Sequence, residues 1–101
     1  MKFTANGLTY EIEEVDKESP ELLLRELYHF GMTNHKKQKV YLMNDISEQQ
    51  KICVLRHEIA HVFINVNGMY AQETFTVEQL CEFVAYNAVA INKIVDEYFG
   101  R

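Results

Sequence analysis

Residues 47–68 read SEQQKICVLRHEIAHVFINVNG, and this stretch has the strongest local pattern in the chain. Ser47 and Gln50 have the spacing of a capping box, in which the two residues satisfy free N–H groups at a helix start. The apolar residues that follow recur at helical spacing, and they are Ile52, Leu55, Ile59, Val62, Phe63 and Val66. Asn67-Gly68 is a typical helix end. The sequence therefore predicts an amphipathic helix over 47–66.

This helix contains the run His57-Glu58-Ile59-Ala60-His61, an H-E-x-x-H pattern. Residues four apart lie one above the other on a helix, so both imidazoles can reach one ion at the ~2.0–2.1 Å of a Zn–N bond. Glu58 lies beside this pair and can accept a proton from an activated water without being a ligand. The motif thus predicts Zn²⁺ as a cofactor, His57 and His61 as metal ligands and Glu58 as the catalytic base.

A catalytic zinc site needs a third protein ligand and one open position. The other two histidines, His29 and His35, both precede the motif, and they fit a helix end and a solvated turn. The helix expected after the motif begins with Glu78 and Glu82, four residues apart. A carboxylate from this helix is the favoured third ligand. The spacing leaves the choice between Glu78 and Glu82 open, and either can instead be a solvated surface acid.

The N-terminal part of the chain contains a hairpin pattern followed by a helical one. Apolar and polar residues alternate on both sides of Asn6-Gly7, a dipeptide that suits a type I′ turn, so strands are expected at 2–5 and 8–15. Ser19-Pro20-Glu21 has the character of a helix start. Four apolar residues follow at helical spacing before Gly31, namely Leu23, Leu24, Leu27 and Phe30. These features predict a helix that Gly31 ends.

A third strand is expected at 38–43, and the chain should finish with a helix from Thr76 to about Phe99. The buried residues of that last helix are predicted to be Leu80, Val84, Ala88, Ile91, Val95 and Tyr98. The order β-β-α-β-α-α has no internal repeat and no linker. We therefore expect a single α+β domain over 1–101, with three helices on one face of a small three-stranded sheet.

Residues 78–85, EQLCEFVA, resemble the E-x-x-A-x-x-F-A helix that follows HExxH in the ImmA/IrrE-type zinc metallopeptidases. The small phage and prophage members of that group are the most similar. The resemblance covers about 38–95 and departs from the family pattern at Cys81 and Val84. It implies a minimal zincin-like core of the gluzincin type, with Glu78 as the third ligand and Glu82 as the alternative. It also implies that Lys39–Met43 is an edge strand along which a peptide lies.

The activity that this resemblance implies is zinc-dependent hydrolysis of a peptide bond in a protein substrate, such as a regulator of a phage or other mobile element. Because the chain is expected to be the catalytic core alone, a separate partner protein can be needed for substrate recognition. Two alternatives stay open: a non-catalytic binding module with a structural or vestigial metal site, and a metal-free interaction protein. The sequence leaves the oligomeric state undetermined.

Several further residues are candidates for supporting roles. Tyr70 and Tyr86 have phenolic groups that could stabilise an oxyanion, although packing is the more common role for each. Asn87 or Asp96 could orient an imidazole. Cys53 lies one turn before His57, and as a fourth ligand it would convert the site into a structural one.

Charge and hydropathy exclude two classes of partner. The 10 basic and 15 acidic residues give a formal net charge of −5, and Lys36, Lys37 and Lys39 form the only basic cluster, so nucleic-acid binding is not expected. No apolar run approaches the ~18 residues of a membrane span, and the N-terminus lacks the apolar region of a secretory signal. With two cysteines and no CxxC pair, the expected location is the cytoplasm.

Overall fold

The computed structural model describes residues 1–69 and 74–101. Its strands are β1 (Lys2–Ala5), β2 (Leu8–Val15), β3 (Leu23–Leu24), β4 (Leu27–Tyr28), β5 (Gly31–Asn34) and β6 (Lys39–Met43). The helices are α1 (Glu48–Val66) and α2 (Val77–Tyr98), and a short 3₁₀ turn covers Pro20–Leu22. The α+β class is as expected, but the expectation of three helices on a three-stranded sheet is wrong. The described residues form two α-helices, a four-stranded mixed sheet and a separate two-stranded ribbon.

The four-stranded sheet has the order β1-β2-β6-β5. β1 and β2 form the expected hairpin, and its turn residues Asn6 and Gly7 have φ of 46° and 86°, as a type I′ turn requires. β6 runs parallel to β2, with Glu11 beside Lys39, and antiparallel to β5. β6 is therefore an internal strand, and the expectation that Lys39–Met43 forms the edge is wrong. β5 is the edge strand on that side of the sheet.

The segment expected to be a helix ending at Gly31 forms the 3₁₀ turn and the β3–β4 ribbon instead. The chain reverses at Arg25 and Glu26, whose φ angles of 53° and 66° lie in the left-handed region. Leu22 is fully buried, whereas the three leucines and one phenylalanine of the expected helical stripe are 44–66% exposed: Leu23, Leu24, Leu27 and Phe30. After the ribbon the chain continues as the extended strand β5. The backbone N–H and C=O groups of β5 pair there with those of β6. Tertiary pairing thus outweighs the helical spacing.

Both long helices begin at the predicted caps. The Ser47 hydroxyl accepts a hydrogen bond from the Gln50 N–H at 3.1 Å, and Thr76 forms a complete capping box with Gln79. The end of α1 is held by the first hairpin, because the Asn6 side-chain amide donates to the Val66 carbonyl at 2.8 Å. This bond satisfies one of the free carbonyl groups of the last turn.

The sheet buries apolar side chains on both faces. On one face α1 and α2 pack through Ile59, Val62 and Val95 against strand residues that include Tyr10 and Val40. On the other face Leu22 packs with Tyr41 and Met43 of β6. Val40 thus lies on the face opposite to Tyr41 and Met43, as the alternation of side chains along a strand requires. The 3₁₀ turn thus covers the face that the helices leave open.

The N-terminal part of α2 is less buried than its spacing predicts. Leu80 and Val84 are 51% and 59% exposed, in contrast to Ile91 and Val95, which are 8% and 1% exposed. α2 is bonded to the end of α1 through the Asn67–Asn87 pair, and the exposed Leu80 and Val84 precede this contact, although Phe83 packs against the core. Within the described residues neither helix is both long enough and apolar enough to cross a membrane.

Candidate metal centre

The two motif histidines face each other on the exposed side of α1. Their Nε2 atoms are 3.2 Å apart, and their ring planes are inclined by 71° with centroids at 4.9 Å. The His57 side chain is 70% exposed. The pair thus presents imidazole nitrogen to solvent.

The spacing of the two imidazole nitrogens suits two ligands of one zinc ion. Two nitrogen ligands of a tetrahedral zinc ion, each about 2.0–2.1 Å from it, lie about 3.3–3.4 Å apart. The His57–His61 separation of 3.2 Å is close to this value. It also permits a hydrogen bond between the two rings, with one nitrogen as donor and the other as acceptor. The two histidines can therefore supply two nitrogen donors to one zinc ion.

Glu58 is buried beneath the histidine pair and is held by β5. Its residue is 7% exposed, and its Oε2 lies 4.0 Å from His57 Nε2. The Thr33 hydroxyl is 2.7 Å from Glu58 Oε1 and 3.2 Å from the Glu58 carbonyl oxygen, so its one proton is donated chiefly to the carboxylate. The carboxylate thus has one oxygen bonded to the edge strand and the other beside the histidines.

Gly31 allows β5 to lie directly against α1 at this point. A Cβ atom at Gly31 would lie 2.6 Å from Val54 Cγ1, 3.0 Å from Glu58 Cγ and 3.3 Å from Glu58 Oε2. The first distance is far shorter than a normal carbon–carbon contact of about 3.5–4.0 Å. An open cavity of about 240 Å³ adjoins this contact and is lined by residues that include Phe30, Cys53 and His57. Close approach of strand and helix therefore creates a small recess beside the candidate base.

His35 lies in an exposed turn, as the sequence indicated, and bonds a buried tyrosine of the core. It follows β5 directly, and its Nδ1 is 2.9 Å from the Tyr10 hydroxyl, which also accepts a hydrogen bond of 3.0 Å from the Asn65 amide. Burial lowers the pKa of the His35 imidazole, the charge of His61 lowers it further, and the Glu58 carboxylate raises it. Through Tyr10, His35 is linked to Asn65, which follows His61 by one turn of α1. No short-range sequence signal identifies it, because Tyr10 and Asn65 are distant in the chain.

Neither candidate for the third ligand joins the histidine pair in the described structure. Glu78 and Glu82 are both exposed on α2, and Glu82 lines an open cavity of about 400 Å³ with Phe83 and Tyr86. Across residues 1–69 and 74–101 no three His, Cys, Asp or Glu side chains are grouped closely enough to hold one ion. Glu78 lies about 14 Å of helix rise before Asn87, the residue that bonds α2 to the end of α1.

The structure does not place Tyr86 or Asn87 in the supporting roles that the sequence suggested for them. Tyr86 is 84% exposed, and Tyr70 lies outside the described residues. Asn87 bonds Asn67 and the Phe83 carbonyl rather than an imidazole. The structure adds three residues that the motif does not indicate, namely Tyr10 on β2, Thr33 on β5 and Asn65 on α1. They could be found only from the strand order.

Comparison of the chain with protein-family models, with curated proteins and with solved structures gives no significant match. The likeness to the ImmA/IrrE-type peptidases therefore rests on the motif residues alone. What the chain itself provides is a pair of facing imidazoles with a buried, hydrogen-bonded carboxylate beside them.

Proposed function

We propose that this protein is a zinc-dependent metallopeptidase that hydrolyses a peptide bond in a protein substrate. The observation that supports this most strongly is the His57–His61 pair, with Nε2 atoms 3.2 Å apart and the Glu58 carboxylate 4.0 Å from one of them. A buried carboxylate next to two metal-type nitrogen donors is the arrangement that water activation requires. The resemblance to the ImmA/IrrE-type peptidases supports a phage or mobile-element regulator as the substrate.

In this proposal His57 and His61 hold the metal, with Glu78 as the third ligand and Glu82 as the alternative. When bound, zinc supplies Lewis acidity, which polarises a carbonyl group and makes water more acidic. Glu58 takes the proton from the attacking water, and its Oε2 is the oxygen available for this, because Oε1 is bonded to Thr33. The Thr33 bond keeps the carboxylate in one orientation, which lowers the cost of reaching the transition state.

The substrate segment is proposed to lie along β5. Because β5 ends the order of the described sheet, one row of its backbone N–H and C=O groups can pair with an extended peptide. Such a segment would pass next to Glu58, since Thr33 of β5 contacts that carboxylate. A partner protein that presents the substrate in extended form is compatible with this edge. We place the activity in the cytoplasm, in keeping with two free cysteines.

The decisive test measures metal content and hydrolysis in the same preparations. Wild-type protein equilibrated with micromolar zinc and then desalted should contain one zinc per chain, and His57→Ala and His61→Ala should lose it. Wild-type protein should cleave members of a peptide library, read by mass spectrometry. Glu58→Gln should keep the metal and lose about 10²–10⁴-fold in rate. Absence of stoichiometric zinc, or full activity in Glu58→Gln, contradicts the proposal.

Matched variants on α2 identify the third ligand. Glu78→Ala should lower zinc affinity strongly while Glu82→Ala leaves it unchanged, and the opposite result assigns the role to Glu82. The second candidate function is a non-catalytic binding module with a structural or vestigial metal site. The exposure of both glutamates favours this alternative. It predicts that neither α2 variant changes zinc affinity and that the library stays uncut.

A further inference from the structure

We propose that His35 is a catalytic residue that donates its Nε2–H to the carbonyl oxygen of the substrate as that oxygen becomes negative, and that Tyr10 and Asn65 are positioning residues that hold the required tautomer. This inference deepens the proposed function and rests on it. It supplies an oxyanion donor that is absent from the motif.

The proton arrangement follows from a chain of three side chains. The Asn65 amide donates to the Tyr10 hydroxyl at 3.0 Å, which occupies a lone pair of the phenolic oxygen. The phenolic proton is then donated to the other neighbour, His35 Nδ1, at 2.9 Å. Burial raises the pKa of the Tyr10 phenol, so this proton is retained at neutral pH. A neutral His35 that accepts at Nδ1 has its own proton on Nε2.

Tyr10 is a rigid anchor for this chain. The residue is fully buried in the main core, and its ring stacks on Phe3 with a centroid distance of 6.0 Å. The His35 ring meets the Tyr10 ring edge-on, also at 6.0 Å. Because Nδ1 is engaged with the phenol, Nε2 is the nitrogen of His35 that is free to reach a ligand. A donor with one free position and a fixed partner is preorganised for a developing charge.

The position of His35 relative to β5 connects this donor to a substrate. His35 comes directly after Asn34, the last residue of the edge strand, and Thr33 of that strand bonds Glu58. His35 is also linked to α1, because Tyr10 bonds both His35 and Asn65, and Asn65 follows His61 by one helical turn. A peptide paired with β5 would pass between the base on α1 and His35. Its scissile carbonyl would thus meet a proton acceptor on one side and a donor on the other.

The tautomer can be tested directly, without metal or substrate. Long-range ¹H–¹⁵N NMR of histidine-labelled wild-type protein at about pH 8, above the ordinary histidine pKa near 6.5, should show His35 protonated at Nε2. Asn65→Asp is nearly isosteric and places a carboxylate acceptor beside Tyr10, so the phenolic proton should move to Asp and His35 should switch to the Nδ1–H form. An Nδ1–H tautomer in the wild type overturns the inference. So does an unchanged tautomer in Asn65→Asp.

The catalytic role is tested on zinc-loaded protein with a library peptide that the wild type cleaves. His35→Ala and Asn65→Asp should each lower kcat about 10²–10³-fold, the cost of losing one oxyanion donor, with little change in KM and no change in zinc content. His35→Gln retains a side-chain N–H and should recover part of the loss. Wild-type kcat in His35→Ala overturns this inference alone. A wild-type protein without zinc or hydrolysis overturns the proposed function, and this role of His35 with it.

Discussion

The Thr33 hydroxyl donates to Glu58 Oε1 at 2.7 Å, and this bond joins the edge strand of the sheet to the helix that contains the histidine motif. Glu58 is 7% exposed, so its carboxylate has lost most of its water and depends on protein donors. The bond also fixes which oxygen of Glu58 faces His57. Strand β5 is therefore part of the candidate centre as well as part of the sheet.

Thr33→Val should destabilise the protein by about 1–2 kcal/mol, because it leaves a buried carboxylate oxygen without its donor while keeping the side-chain volume. The free energy of unfolding from urea titration measures this effect. Thr33→Ser retains the hydroxyl and is the matched control, which should stay close to wild type. Equal stabilities for the valine and serine variants would contradict the role assigned to the hydroxyl.

Gly31→Ala should cost about 1–3 kcal/mol, because the new Cβ would lie 2.6 Å from Val54 Cγ1 and force β5 away from α1. Val54→Ala removes the blocking methyl group. The double variant should therefore be more stable than the sum of the two single changes predicts, by about 1 kcal/mol in a double-mutant cycle. Additive losses would show that strand and helix do not press together at this glycine.

Replacing Arg25-Glu26 with Asn-Gly should stabilise the protein by about 1 kcal/mol, since both positions have positive φ in a two-residue hairpin turn. If this segment were a helix, the same replacement would instead destabilise the protein by about 1 kcal/mol, because Asn and Gly are poor helix formers. The matched control is Ala-Ala, which should destabilise the turn and would stabilise a helix. Thermal unfolding of both variants decides between the two structures by the sign of the change in Tm.

Acid should weaken the junction at Glu14, where β2 meets both helices. The Lys51 ammonium and the Tyr98 hydroxyl donate to its carboxylate at 2.8 and 2.5 Å. Burial raises the pKa of Glu14, but these two hydrogen bonds and the Lys51 charge outweigh it, so the net pKa is lowered from 4.5. The stabilisation is therefore complete above about pH 4.5 and is lost as the pH falls through the lower folded value.

The corresponding measurement compares wild type with Glu14→Gln in urea titrations from neutral pH down to about pH 3. The variant should be less stable by about 0.5–1 kcal/mol at neutral pH, because the ion pair is partly exposed. The difference should shrink in acid as the wild-type carboxylate gains a proton. The control is Glu18→Gln, which changes an exposed carboxylate outside this junction. Its free energy of unfolding should differ from that of the wild type by the same amount at every pH.

The helices and the first hairpin could be predicted because their signals are local. Ser47 and Thr76 cap the helices they were expected to cap, and Asn6-Gly7 makes the expected turn. Each of these signals acts within a few residues of chain. The motif spacing likewise brings His57 and His61 together, because four residues make about one helical turn.

The segment before Gly31 could not be predicted in the same way. Its leucines have helical spacing, yet the chain is extended there because β5 must reach the free side of β6. The parallel pairing of β2 with β6 could not be predicted from local patterns either. Because of this pairing, β6 is an internal strand and not the expected edge strand. This strand order places Thr33 beside Glu58 and Tyr10 beside Asn65, so the motif predicts the histidine pair but not the strand residues around it.

The parallel pairing of β2 with β6 also has a consequence for synthesis of the chain on the ribosome. The first hairpin leaves the exit tunnel early, while the strand that completes its open side, Lys39–Met43, emerges later by a crossover. Until then the backbone groups of β2 face water, or other nascent chains, along an unprotected edge. The charged Glu11, Glu13 and Glu14 on that strand repel a second copy, which discourages premature self-association during translation.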